Sequence, residues 1–174
     1  MKKYMILFVL GQDRPGIVDD VSSFLFDRQA NIEDSRMAVL GGCFSIMILF
    51  SCNEEQLWTI KSNLPLLEKL GFELSLHEAG DPAQKTTQAE LPLKIEATAL
   101  DHPGIVQNLV RILRRHAVNI LSLNTRVVRA PLSGAPLFDL VLEAAVPAET
   151  PINRVKEELN TLAEEMNLDL IFKK

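Results

Sequence analysis

The residues best suited to chemistry in this chain come as a set, and the set occurs twice. Asp13, Arg14, Pro15, Gly16, Ile17 and Val18 return 88 residues later as Asp101, His102, Pro103, Gly104, Ile105 and Val106. An Asn-Ile pair follows each at one spacing: Asn31 and Ile32 begin 18 residues past Asp13, and Asn119 and Ile120 begin 18 past Asp101. The chemistry such a set offers is the grip of a small zwitterion. A Pro-Gly turn leading into a helix leaves the first helical amides unpaired, at an end that carries partial positive charge, so a carboxylate can be held there. Gly16 and Gly104 let a ligand approach that backbone with no side chain in the way. The amides of Asn31 and Asn119 supply a donor and an acceptor each. A purely structural reading fits the same residues, with Asp13 and Asp101 capping helices and Asn31 and Asn119 ending them in the left-handed conformation. Both readings stand at this level. Arg14 and its counterpart His102 read as solvent-facing turn residues, although the exchange replaces a permanent cation by a group that titrates near neutrality.

Catalysis has little to work with. The three histidines, His77, His102 and His116, show no zinc-ligand spacing, so no metal site is expected. No nucleophile elbow, phosphate-binding loop or dinucleotide fingerprint appears, and no cofactor is expected. The chain reads as a binding protein, not an enzyme. Its formal net charge of -5 argues against direct contact with nucleic acid, which needs a dominant basic face. Arg111, Arg114, Arg115 and His116 crowd one helix and read as a solvated face. Cys43 and Cys52 are the only cysteines and suggest neither a disulfide framework nor a thiolate site, which suits the cytoplasm. Lys2 and Lys3 before apolar residues 4–10 imitate a signal peptide faintly, and the run is read as a buried strand. No run has the length to cross a bilayer, so no membrane association is expected.

The elements that must position these residues also repeat. In the first copy residues 4–10 read as a strand and residues 11–16 as a turn. Ile17, Val18, Val21, Phe24 and Leu25 then form one helical stripe, matched by Ile105, Val106, Leu109, Ile112 and Leu113. Strands at 32–40 and 44–52 flank Gly41-Gly42, a two-residue hairpin turn. Residues 54–70 carry helix periodicity through Leu57, Ile60, Leu64 and Leu67, with Pro65 expected to break or kink it. Gly71 ends that helix, and a strand at 72–77 closes the unit. The second copy repeats the order, with strands at 93–100, 120–129, 137–145 and 168–173 and helices at 104–116 and 151–167. Its hairpin loop is longer, at 130–136. Thr150 before Pro151 predicts a capped helix start, and Ile152, Val155, Leu159, Leu162 and Met166 its core stripe. The expected domains are residues 1–78 and 91–174, joined by a polar linker at 79–90. Twice β-α-β-β-α-β is α+β, two ferredoxin-like units with antiparallel sheets and both helices on one face. Alternation along 44–50 makes both faces of that strand apolar, so the other repeat or a second chain, as in an oligomer, is expected to cover the open side.

The D-x-P-G-I-V turn, the Asn-Ile pair and the element order together resemble the ACT domain family across both halves. The run Asn31, Ile32, Glu33, Asp34, Ser35, Arg36, followed by Ala38, Leu40 and Gly41, narrows the likeness to tandem ACT regulators of the glycine cleavage system. The resemblance implies a protein that senses a small amino acid, glycine or serine, and restrains a transcription-activator protein by contact. It implies ligand binding by Asp13, Arg14, Pro15, Gly16 and Ile17 with Asn31 and Ile32, and by Asp101, His102, Pro103, Gly104 and Ile105 with Asn119 and Ile120. The turn of one unit is expected to face Asn31 or Asn119 of another. Glu33 and Asp34 become Leu121 and Ser122 in the second copy, so the two sites are not expected to be chemically equal. At a ceiling of about 1.5 kcal/mol per heavy atom, a glycine site reaches micromolar affinity at best. Two further readings remain at this level: a sensor that regulates a metabolic enzyme, and a ligand-free assembly module.

Overall fold

The computed structural model describes residues 2–84, 89–131 and 133–173. The chain divides into two compact units, Met1–Lys85 and Thr86–Lys174. The first is built from β1 (Lys3–Gln12), α1 (Ile17–Phe26), β2 (Asn31–Leu40), β3 (Cys43–Cys52), α2 (Glu54–Glu68) and β4 (Glu73–Ala79). A short 3-10 turn, Pro82–Gln84, follows it. The second unit comprises β5 (Glu90–Leu100), α3 (Ile105–Arg115), β6 (Asn119–Arg129), β7 (Pro136–Pro147), α4 (Ile152–Met166) and β8 (Asp169–Lys173). Strand order is β2-β3-β1-β4 in one sheet and β6-β7-β5-β8 in the other, all neighbours antiparallel. Each unit therefore has the ferredoxin-like arrangement read from the repeat. Part of the expected linker and one residue of the second hairpin loop lie outside the described residues.

Burial follows from period. On β3, Phe44, Ile46, Ile48 and Phe50 point to the helices with Met5, Leu7 and Val9 of β1, and there they meet Ile17, Val21, Phe24 and Leu25 of α1 and Leu57, Ile60 and Leu67 of α2. The second core repeats this with Ile95, Leu140 and Leu142 against Ile105, Leu109, Leu113, Val155 and Leu159. The open faces of the two sheets differ. The first exposes Phe8, Leu10 and Met47, whereas the second carries ion pairs Lys94–Glu143, Arg126–Asp139 and Lys173–Glu96.

Several local expectations need correction. Gly11 and Gln12 belong to β1, because they pair with Phe44 and Cys43 of the neighbouring strand. Val18 is 47% exposed and leaves the predicted stripe, since only Ile17 of that pair faces the sheet. Pro65 does not break α2, which continues to Glu68. Pro65 sits in the last turn, and its missing amide leaves only the carbonyl of exposed Lys61 for water to satisfy. An unforeseen capping box starts α2, with Asn53 accepting from the Gln56 amide at 2.9 Å and Gln56 accepting from the Asn53 amide at 2.7 Å. Thr150 does not cap α4: its hydroxyl donates instead to the His116 carbonyl at 3.4 Å, and Pro151 takes the cap position. The cationic stretch of α3 is partly paired, since Arg115 and His116 both meet Glu158 of α4, at 3.1 and 3.0 Å.

Candidate functional site

Glycine, not aspartate, opens the helix after each repeated turn. Gly16 and Gly104 occupy the cap positions with φ of 90° and 100°, and no side chain caps either helix. The capping role open to Asp13 and Asp101 is therefore not the one they take. Their backbone amides instead tie the turn to the neighbouring hairpin, Asp13 donating to the Gly42 carbonyl at 2.9 Å and Asp101 to the Pro136 carbonyl at 3.0 Å. Left-handed glycine is the arrangement that leaves the first amides facing outward with no Cβ beside them. A Cβ on Gly16 would meet only the Arg14 guanidinium, at 4.0 Å, so the approach is open.

Electrostatics separates the two turns. Arg14 donates to the Asp20 carboxylate at 2.7 Å and lies 5.5 Å over the Phe72 ring, which fixes a permanent cation beside the first turn. His102 makes only a 3.1 Å contact with the Pro103 carbonyl.

Asn31 and Asn119 do not end helices. The left-handed residues there are Gln29 and Ala117, with φ of 56° and 54°, and both asparagines open edge strands. Asn31 and Ile32 line a cavity of ≈ 410 Å³ with Ser22, Ser23, Phe26 and Ala30. Immediately after Ile32 the register with β3 slips, leaving Glu33 as an extra residue on a bulge. The buried Ser51 hydroxyl, 4% exposed, donates to the Glu33 carboxylate at 2.6 Å, and Lys2 approaches at 3.0 Å. Hydrogen bonds from Ser51 first, then from Lys2 and Asn31, lower the Glu33 pKa to about 2. Sequence reasoning passed over Ser51 and Lys2. The cross-strand partner of Asn31 was a clue only once the register was known. In the second unit the bulge recurs after Ile120, but Leu121 sits on it and Ala145 replaces the serine opposite Asn119.

The carboxylate of Glu33 fixes a pH response. Its folded pKa lies below the ordinary value of 4.5, so its contact stabilises the first unit above about pH 4.5 and is lost as pH falls toward 2. Carbon-detected NMR titration will place the Glu33 midpoint near 2 in the wild type and move it toward 4.5 in Ser51→Ala. A wild-type midpoint near 4.5 would contradict the Ser51–Glu33 contact.

The two halves of each candidate set are far apart within a unit. Asn31 is level with Ser51 and Tyr4, whereas the Asp13 turn follows Gln12, level with Cys43 and Leu40. Eight residues of strand separate those levels, roughly 26 Å at about 3.3 Å per residue. One unit alone cannot bring Gly16 and Asn31 onto one small molecule. Among the described residues no group of histidine, cysteine or carboxylate side chains has the makings of a metal site, and no helix is long and apolar enough to cross a membrane.

Comparison with known proteins follows the same lines. The sequence profile of the ACT domain matches residues 3–77. The chain is 28% identical to the glycine cleavage system transcriptional repressor of Escherichia coli over 166 residues, 94% of this chain and 86% of that protein. A crystal structure of an unknown protein from Galdieria sulphuraria superposes with a TM-score of 0.81 at 29% identity, covering 99% of this chain and 98% of the other. One of a proposed glycine cleavage system transcriptional repressor superposes at 0.72 with 20% identity, over 99% and 97% of the two chains, and supports the fold alone.

Proposed function

We propose that this chain, whose residues 3–77 match the ACT domain and whose second unit repeats the same element order, is an amino-acid-responsive regulator of the glycine cleavage system that acts by contacting a transcription-activating protein. The observation that carries the ligand half of this reading is the pair of uncapped helix starts, each opened by a left-handed glycine. Their amides suit a small carboxylate. Asn31, with the ionised Glu33 beside it, suits the ammonium group of the same molecule. Since these features stand at opposite ends of one sheet, glycine or serine bridges two units, the turn of one facing Asn31 of another in a homo-oligomer. β2 is an edge strand exposed along its length, and antiparallel pairing with the β2 of a second copy would place each turn near the other's Asn31. A bridging ligand favours one arrangement of units over another, and a regulator needs that property. The second half of the reading is supported by likeness to a repressor over 94% of this chain and by the net negative charge, which suits protein contact better than a phosphate backbone.

Titration calorimetry with glycine and serine tests the site. Wild-type protein will give saturable heat at micromolar or weaker affinity, Asn31→Ala will abolish it, and Asn119→Ala will reduce it less. Equal heats from wild type and Asn31→Ala would remove Asn31 from the site. Purified activator and its promoter test the output: the protein will suppress activated transcription to an extent that changes with glycine, without itself retarding the DNA.

A further inference from the structure

The open face of the second sheet carries a cavity of ≈ 490 Å³ that belongs to neither turn. Register places its outward side chains in two cross-strand rows. Arg126 of β6 stands beside Asp139 of β7 and Thr98 of β5; one step along, Asn124 stands beside Val141 and Glu96. All six line the cavity. Arg126 Nε donates to Asp139 at 3.2 Å and Thr98 donates to the same carboxylate at 3.1 Å, so Asp139 is satisfied from two sides. The outer nitrogens of the guanidinium remain on a side chain that is 76% exposed. Glu96 meets Lys173 only at 3.5 Å.

The fold does not require these residues. The matching positions of the first sheet, by the same register, are Ala38, Ser45 and Leu10 in one row and Arg36, Met47 and Phe8 in the other. Replacing Phe8 and Leu10 by Glu96 and Thr98, and Ala38 by Arg126, gives the second unit a polar cavity over an apolar floor at Val141. Two carboxylates and one guanidinium line the cavity, and Lys173, 3.5 Å from Glu96, is the cation whose place a ligand's ammonium would take. The columns that hold Arg126 and Glu96 lie two strand spacings apart, about 10 Å. A molecule that meets both must be long, with a carboxylate at one end and an ammonium at the other.

We propose that this face is a separate site for a basic α-amino acid of the lysine type, with its carboxylate on Arg126, its distal ammonium on Glu96 and its methylene chain over Val141. Guanidinium and carboxylate make the charge-assisted contact that arginine favours. The ligand's distal ammonium replaces Lys173 on Glu96, and glycine is too short to span the two anchors. The site goes beyond the glycine response and does not depend on it.

Amide chemical shifts of the full chain, followed during titration with L-lysine, test the proposal. Saturable shifts are expected at Glu96, Asn124, Arg126, Asp139 and Val141, with weaker response to L-norleucine, which lacks the distal ammonium, and to 1,5-diaminopentane, which lacks the carboxylate. Glu96→Gln and Arg126→Ala will each weaken lysine binding by about tenfold or more. Glu96→Gln keeps the shape of the side chain and the Arg126–Asp139 pair, so it still decides the matter if Arg126→Ala fails to fold. Asn31→Ala will leave lysine binding unchanged. No saturable shift with millimolar lysine, or equal binding by Glu96→Gln, would overturn the site. Loss of glycine heat in wild type with lysine binding intact would instead count against the glycine response alone.

Discussion

Phe50→Ala will destabilise the first unit by about 3–5 kcal/mol, the range for truncating a buried aromatic ring. Phe50 is fully buried, facing the helices from near the C-terminal end of β3, with Met5 and Ile32 level with it on the flanking strands. No polar contact compensates its loss, and the rigid sheet limits collapse of the hole. Set against a typical total of about 5–15 kcal/mol, the change leaves the unit marginal. The guanidinium midpoint will fall, and hydrogen exchange will show β1–β4 losing protection while β5–β8 retain theirs, because the two cores share no buried residues. Phe50→Leu will cost less, since it keeps much of the volume. A loss below about 1 kcal/mol for Phe50→Ala would mean the core there is not close-packed.

Gly16→Ala will abolish the glycine response, and Gly41→Ala will not. Both residues have positive φ, 90° and 59°, so an alanine at either is forced toward the left-handed region at a cost of roughly 1–2 kcal/mol. The pair therefore matches the backbone penalty and separates the binding. At Gly16 the new methyl group enters the open approach of the turn, 4.0 Å from the Arg14 guanidinium and in space the proposed ligand would use, whereas at Gly41 it enters open space at the hairpin. Thermal denaturation will show comparable losses for the two variants, and calorimetry will find glycine heat only in Gly41→Ala. Normal binding by Gly16→Ala would move the ligand away from the turn.

Element order was readable because periods of two and of 3.6 alternate cleanly, and because each copy checks the other. The places that misled had competing partners supplied by distant residues. Thr150 has the chemistry of a cap, yet the His116 carbonyl, far along the chain, takes its hydroxyl. Gly11 looks like turn chemistry, but pairing with Phe44 keeps it in the strand. For the candidate site, the repeated turn and the asparagines were legible as types and spacings. Their separation within a unit was not, since that depends on strand register. Glu33 stood out as an acidic residue, but its serine partner emerges only from the bulge that sets Asn31 opposite Ser51.

That bulge dates itself. A slipped residue follows the first Asn-Ile pair and another follows the second, with left-handed Gln29 and Ala117 preceding them at matching places. Two independent insertions at one spot are far less economical than inheritance, so the ancestral gene already encoded the irregular strand before it was doubled. Glutamate and leucine then diverged on a pedestal older than either, and the descendants differ in what they display, not in how they display it.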